Sequence, residues 1–491
     1  MRLVPAALAI ALVLAACGAS SVTPAASVPA TATTKPSLAA TPSPTAAPTP
    51  ADLSDRPLAW FAPLPPMPTD GSRPFIGSED FMDLFSPEAD WDLAADRIGV
   101  FKLYGEWVAY HATIAELNAA VTEIARRGMV LAVEMGPLDP PPECGQGVES
   151  FAGIDEGQLI SNRLRQAGGT LQVIALDEPY YFAHVYDGVQ ACGWSVERVA
   201  QATAGFTAAM RDEWPQLVVG DIEPMPRGVA PDGLAAWLDA YRAAAGEPFA
   251  FLHLDMDWSR ADWPQLGVAV EAAAAERGVP VGMIYNGGAA TSDAAWLAIT
   301  GQRVLAYEAD AGARPDHVIF QSWMDKPDRA IPESEPTSFS AFVNRYFDDR
   351  ASLGQPVGGI DNLALGRAAV ATTSVGDATA DRAVDGDADT IWNAGAGPPA
   401  AIEVDLGAPQ AITEIRLMVS QTPAGETHHR VSCLQAPGAA PSVLADLQGT
   451  TRDGEVLTVS AEGSLCRVIR IETLASPSWV AWREIEVVGG P

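Results

Sequence analysis

Two adjacent acids close a short apolar run in the stretch VIALDEPYY: Asp177 and Glu178, stopped by Pro179. Carrying two carboxyl groups to the end of a buried strand is costly unless a partner or a reaction uses them. Similar endings recur along the chain. GMVLAVEMG carries Glu134, QLVVGDIEP carries Asp221 and Glu223, and PFAFLHLDMDW carries His253, Asp255 and Asp257. VPVGMIYNG ends at Asn286, and DHVIFQSWM ends in Gln321 and Trp323. Side chains alternate faces along a strand, so His253, Asp255 and Asp257 share one face and Leu252, Leu254 and Met256 the other. Asp221 and Glu223 share a face in the same way and are expected at the same mouth. Lys102, in DRIGVFKLYGE, is a candidate buried counter-charge.

Clustered carboxyls in a polar, aromatic-bearing cleft suit cleavage of a glycosidic bond. One carboxyl donates a proton to the leaving oxygen, and another stabilises or attacks the anomeric carbon, or activates water. The expected catalytic set is Glu178 as general acid, Asp177 positioning it or a substrate group, and Glu134, Glu223 or Asp257 as the opposing carboxylate. Tyr180, His253, Asp255, Asn286, Gln321 and Trp323 are the expected substrate contacts, with Tyr180 and Trp323 offering flat faces to a pyranose. On a regular strand Asp177 and Glu178 face opposite ways, so both reach the mouth only if the chain bends before Pro179. Repulsion between neighbouring carboxylates and partial burial would keep at least one protonated near neutral pH. Two other readings compete: acids that are ion-paired supports for loops, and an H-x-D-x-D triplet that binds a divalent metal. No cofactor is expected for catalysis.

The elements that would position these groups show as a pattern from about residue 72 to 350. Eight β-rich runs, beginning with RPFIGSED, alternate with amphipathic stretches such as IAELNAAVTEIARRG and GLAAWLDAYRAAAG. Strand–helix alternation implies a parallel sheet. Eight units fit a (β/α)₈ barrel over 57–358, whose reactive groups sit at the C-terminal ends of the strands. A doubly wound open sheet is the alternative, but no Gly-rich phosphate fingerprint follows the first strand.

Around Asn362 the texture changes to short β-like runs with no helix between them, which predicts an all-β sandwich over 359–491. NLALGRAAV, ADRAVDGDADTIWNA, AIEVDLGAPQAITEIRL and SPSWVAWREIEVVG follow in order. This resembles a discoidin-like domain of the coagulation-factor type C class, the jelly roll also used as family 32 carbohydrate-binding modules, and the likeness covers 362–490. The resemblance implies a structural Ca²⁺ held by an R-x-x-D-G-D-x-x-T loop and a late Glu. Those positions are Arg382 (through its carbonyl), Asp385, Asp387, Thr390 and Glu484, and hard oxygen ligands suit that ion. Read without the resemblance, the same stretch is a Gly-containing turn with solvated acids. Trp392, His428, His429 and Trp479 are candidates for lining a sugar site.

The barrel itself resembles glycoside hydrolases in general. The large clan of retaining barrels ends strand four in Asn-Glu-Pro and strand seven in Glu, whereas here the endings are Asp177-Glu178-Pro179 and Asn286. The adjacent Asp-Glu pair is similar to that of substrate-assisted N-acetylhexosaminidases, in which the substrate acetamide is the nucleophile.

The chain has 491 residues and a formal net charge of −32. That charge argues against a nucleic-acid partner, because phosphate binding needs clustered Lys and Arg. The start, MRLVPAALAIALVLAACGAS, has a basic Arg2, an apolar stretch too short to span a membrane comfortably, and Leu14-Ala15-Ala16-Cys17. It resembles a bacterial lipoprotein signal (1–17) with Cys17 as the lipidated residue. Residues 18–56 are almost all Ala, Ser, Thr and Pro and are expected to be a disordered stalk. The membrane partner is then the N-terminal lipid anchor alone, and the location the bacterial cell envelope, outside the cytoplasm. With Cys17 set aside, four cysteines remain, which in an exported protein suggests two disulfides, Cys144–Cys192 and Cys433–Cys466; four buried thiols are the alternative. Together these features point to a cell-surface glycoside hydrolase acting on a poly- or oligosaccharide, with a carbohydrate-binding module at its C-terminus. A non-catalytic glycan-binding or adhesion lipoprotein, or another barrel enzyme such as a lyase or deacetylase, are the competing classes.

Overall fold

The computed structural model describes residues 57–68, 76–258, 260–324, 326–354 and 362–489. The signal with Cys17, the 18–56 tract and the boundary expected at 358–359 lie outside the described residues.

Eight parallel strands form a closed barrel: β1 (Leu58–Ala62), β2 (Ile98–Tyr104), β3 (Val130–Met135), β4 (Val173–Asp177), β5 (Val218–Met225), β6 (Leu252–Met256), β7 (Val281–Tyr285) and β8 (His317–Gln321). Residues of β8 pair in register with β1 and close the ring. The helices are α1 (Asp92–Ala95), α2 (Ile114–Arg126), α3 (Gly153–Gln166), α4 (Val196–Glu213), α5 (Pro231–Ala245), α6 (Trp263–Ala275), α7 (Asp293–Val304) and α8 (Phe339–Asp348). One helix thus follows each strand, the (β/α)₈ arrangement. The stop and start signals work locally. Thr113 and Glu116 cap α2 reciprocally, and α5 ends at Gly246 in the left-handed region at φ 82°.

The first strand is LAWFA and not RPFIGSED. In the latter run, Ile76 makes only an isolated bridge to Met67, and Ser78 N–H donates to the Leu64 carbonyl. The physical reason is burial on both faces. Trp60 packs inside the barrel with Phe251 and Ile319, while Ala59 and Phe61 pack against the helical layer. A strand of a parallel barrel needs apolar residues on both sides, and a run ending in Gly-Ser-Glu-Asp does not supply them.

The second domain is antiparallel: β9 (Ala368–Ala371), β10 (Trp392–Asn393), β11 (Ala400–Val419), β12 (Gly425–Leu434), β13 (Ser442–Thr451), β14 (Val456–Ala475) and β15 (Ala481–Gly489). The order is β10-β15-β11-β14-β12-β13, with β9 on β11. Register shifts between Asp405 and Gln410 and between Ile412 and Glu414 interrupt the long β11–β14 pairing. Such irregularities bend a sheet, and here it surrounds a core of Trp392, Ile402, Ile415, Trp482 and Ile485, consistent with a jelly-roll sandwich.

Disulfides join Cys144 to Cys192 and Cys433 to Cys466. The first links the loop after β3 to the loop after β4.

The two domains meet through main chain as well as side chains. Thr291 N–H donates to the Gly386 carbonyl at 3.2 Å, and Ala388 N–H donates to the Ala289 carbonyl at 3.3 Å. Gly386 sits at φ 84°, and a Cβ there would lie 2.7 Å from Leu365 Cδ1 and 3.0 Å from Ala295 Cβ, so any other residue would be strained.

Candidate active site at the barrel mouth

The C-terminal ends of the strands open into a cavity of about 1400 Å³. Glu134 of β3, Asp177 and Glu178 at the end of β4, Asp255 of β6 and Asp257 just after it, Asn286 after β7, Gln321 at the end of β8 and Trp323 after it all line it.

The bend that the Asp-Glu pair requires is present. Glu178 adopts φ +51°, a left-handed conformation that is uncommon for a non-glycine residue. Its N–H donates to the Ile222 carbonyl of β5, and its own carbonyl accepts from Phe182 N–H. These contacts pin the turn, and both carboxyls of the pair face the same cavity. Glu178 is only 6% exposed. Among the described residues, no donor hydrogen-bonds the Asp177, Glu178 or Asp255 carboxyl.

Electrostatics follow from that isolation. Burial, then the charges of Asp255, Asp177, Glu223 and Glu149, push the Glu178 carboxyl well above the usual range. Burial, then Glu134 and Glu149, raise Asp177, and Lys102 pulls it partly back. Burial raises Asp255 as well, but the Arg227 guanidinium opposes it, and it comes to about 7.

Beneath these acids lies a charge-matched network. Lys102 is fully buried and donates to Glu134 Oε2 and, at 2.6 Å, to Gln321 Oε1. Gln321 Nε2 donates to Glu134 Oε2 at 3.2 Å. Lys102 is therefore the counter-charge its position suggested, and Gln321 spends both ends of its amide on this network. Removing one partner of such a buried pair typically costs about 3–5 kcal/mol.

Four residues expected in the site lie elsewhere. Asp221 and Glu223 share a face, but it is the outer one, because Ile222 between them points into the lumen cluster. Asp221 accepts from Trp237 Nε1 of α5 at 2.6 Å. Glu223 is fully buried and accepts from Tyr180 N–H at 2.7 Å and Tyr181 N–H at 3.0 Å, so it holds the turn after Pro179 and opposes nothing across the mouth. Tyr180 stacks against Trp237 at 5.8 Å and is 6% exposed, which leaves no face for a sugar. His253 lies deeper in the barrel among Trp60, Phe251 and His317, with Nε2 3.0 Å from His317 Nδ1, and burial drives its imidazole towards the neutral form. It is a histidine of the barrel core.

Other groups at the mouth come from loops and helices rather than from strand ends. Glu149 lies on the loop after β3, Arg227 after β5 and Trp258 after β6. Arg303 of α7 joins both domains. It donates to the Asn286 carbonyl at 2.7 Å and Oδ1 at 3.1 Å, reaches Asp387 Oδ2 at 3.3 Å, and lies 4.7 Å from the Trp258 ring centre. Through this contact the second domain becomes part of the site: Arg382, Asp385, Asp387, Asp389 and Thr390 line the same cavity. Sequence carried a signal for the loop and for Trp258, but none for their meeting.

The loop of Arg382, Asp385, Asp387, Thr390 and Glu484 fits a cation in part. Glu484 is 1% exposed, its Oε2 accepts from Gly386 N–H at 3.2 Å, and its Oε1 has no hydrogen-bond partner. Thr390 Oγ1 lies 3.1 Å from the Arg382 carbonyl, 2.8 Å from Asp385 Oδ2 and 3.1 Å from the Asp387 carbonyl, which gathers four oxygens. The Asp387 side chain, however, turns to Arg303 and to Asp389 N–H. Among the described residues no three acidic, imidazole or thiol side chains stand in coordinating geometry. A hard cation here would therefore depend on carbonyl and hydroxyl oxygens as much as on carboxylates.

Of the four aromatic and imidazole candidates in the sandwich, Trp392 and His429 are core. Trp392 is fully buried, and His429 packs on Trp482 with Nδ1 3.0 Å from Thr473 Oγ1. His428 faces Asp446 at 2.6 Å. Trp479 is 55% exposed and borders a cleft of about 870 Å³ with Gln421, Asp453 and Arg483.

No family model matches this chain, and no curated protein does. Among solved structures, it is similar to chitosan-binding module 2 of a chitosanase/glucanase from Paenibacillus sp. IK-5 in complex with chitotriose, at 25% identity over 26% of this chain and 100% of that one, with a TM-score of 0.23. A family 32 carbohydrate-binding module of C. perfringens NanJ in complex with galactose is 21% identical over 25% of this chain and 93% of its own, with a TM-score of 0.22. At these TM-scores the likenesses add nothing to what the site's own residues say.

Proposed function

We propose that the protein is a glycoside hydrolase whose barrel mouth cleaves a poly- or oligosaccharide. The observation that carries this reading is the left-handed Glu178, which turns two adjacent, unpartnered carboxyls into one cavity. Strained backbone of this kind costs on the order of 1–3 kcal/mol and gathers at functional sites. Glu178, kept protonated by burial and by its acidic neighbours, donates to the glycosidic oxygen. Asp255 is the opposing carboxylate: its charge is the leading one felt by Glu178, and Arg227 favours its ionised form. A pair of carboxyls held in different states is what acid–base division of labour needs. Asp177 positions Glu178 or a sugar hydroxyl, and Trp323 and Trp258 offer apolar faces to the ring.

The sandwich contributes a second glycan contact at Trp479, and its loop binds Ca²⁺ as a structural ion; the bare Glu484 Oε1 supports the latter. On sequence grounds, Cys17 carries the lipid anchor, and a Cys17→Ser variant should leave the membrane fraction. The deciding experiment for the whole reading is digestion of a glycan library by the purified chain, read by mass spectrometry. New reducing ends from at least one glycan are expected. Binding without any cleavage would leave a non-catalytic glycan-binding protein.

A further inference from the structure

We infer that the glycan taken at the barrel mouth is cationic: a chain of sugars bearing free amino groups. This rests on the reading of the mouth as a glycan site and names its substrate class.

Charge count comes first. Eleven carboxyls among the described residues line the cavity, against three guanidinium groups, those of Arg227, Arg303 and Arg382, and no lysine. One of the three, Arg303, is already committed to Asp387 and to Asn286. One carboxyl, Glu134, is already matched by Lys102. What remains, even with Asp385 and Asp387 set aside for the loop's cation, is a surplus of acidic groups, and among the described residues no donor reaches the most enclosed of them, Glu178.

Arrangement comes second. The acids are spread round the rim and floor, from Glu149 on a barrel loop to Asp389 on the sandwich. No three converge to coordinate one ion among the described residues. A single bare divalent cation therefore does not match them, whereas positive groups repeated along a chain do. An ammonium offers three donors, and the Asp177, Glu178 and Asp255 carboxyls accept from no donor among the described residues. A concave site lined by one sign of charge focuses its field on a ligand of the other sign. An N-acetylated or plain neutral chain would answer those acceptors with hydroxyl and amide donors but leave the surplus charge unmatched, and a uronate chain would be repelled. Burial first, and neighbouring acids after it, raise Asp177, Asp255 and Glu149, and the part due to those neighbours is repulsion that an ammonium would relieve.

The test is calorimetric binding to the full chain of three probes at mildly acidic pH: fully deacetylated glucosamine oligomers, their N-acetylated counterparts and oligouronates. The amino oligomers should bind at least about tenfold tighter than the N-acetylated ones at low salt, and added salt should erode the difference. Glu149→Gln and Asp255→Asn should each weaken amino-oligomer binding several-fold, whereas Trp479→Ala, at the second glycan contact, should lower amino and N-acetylated binding alike and leave the preference between them unchanged. Both substitutions remove a mutually repelled acid, so the variants should fold, and melting curves check this. Equal binding of amino and N-acetylated oligomers, or a preference indifferent to salt, overturns the inference while the mouth stays a glycan site. A preference lost in Trp479→Ala but not in the mouth variants also overturns it, placing charge recognition on the sandwich. Binding of none of the probes, with no activity on any glycan, removes both readings.

Discussion

The barrel mouth and the R-x-x-D-G-D-x-x-T loop are both acidic, and they handle their acids in opposite ways. In the loop, Asp385 accepts from Asp387 N–H and Thr390 Oγ1, and Asp387 accepts from Asp389 N–H. These carboxylates shape the backbone two residues on, the ordinary work of Asp in turns. At the mouth, Asp177, Glu178 and Asp255 accept nothing from the described residues and face open volume. A turn consumes its acceptors, whereas a reaction site has to leave them vacant. The same residue type therefore reads as structure in one place and as chemistry in the other, and hydrogen-bond accounting tells them apart.

That contrast breaks most sharply at Glu178. Glu178→Gln should lower the rate on natural glycan by roughly 10²–10⁴, and by less on aryl glycosides, whose good leaving groups need little protonation. Near wild-type turnover of natural glycan would place the acid elsewhere in the cluster. In the loop the largest effect belongs to the cation. With Ca²⁺ a hundredfold above its dissociation constant, chelation should remove about 2.7 kcal/mol of stability. Glu484→Gln should abolish the response of the melting temperature to EDTA, and an unresponsive parent protein would end the calcium proposal. Between the two extremes lies Glu223, an acid of the barrel that behaves like one of the loop. Glu223→Gln turns an acceptor of the Tyr180 and Tyr181 amides into a donor, at about 1–3 kcal/mol, and chemical denaturation measures it.

The smallest effect has a sign that separates the regions. The folded-state value of about 7 for Asp255 lies above its ordinary 3.8. The native state thus holds a proton that the unfolded chain releases, and the group subtracts stability as pH rises from about 4 through 7. Asp255→Asn escapes that loss. It should melt about one to two degrees higher than the parent above pH 7, on the order of 1 kcal/mol after screening, and no higher below pH 4. In the active parent, kcat/KM should rise as Asp255 ionises near pH 7.

Alternation of apolar runs and amphipathic stretches was enough to place seven barrel strands and the sandwich. The first strand escaped because LAWFA has no strand-end acid to draw notice, while RPFIGSED has two. Period two correctly grouped Asp221 with Glu223, yet a period cannot say which face is which; Ile222 in the lumen decides it. Tyr180 and His253 were legible as residues that could touch a sugar, but their burial is set by Trp237 and by Trp60, distant in sequence. Arg303 and the sandwich loop at the mouth were beyond reach for the same reason: a contact between α7 and a loop more than eighty positions later leaves no local trace.

The left-handed backbone at Glu178 sets the interests of fold and function against each other. Glycine or asparagine would sit there with less strain, so selection for thermal tolerance alone should favour them at this position. Each would discard the carboxyl that faces the cavity. A library sorted first for stability and then for turnover should therefore split at residue 178, a trade-off expected where local backbone energy is held in reserve for a reaction.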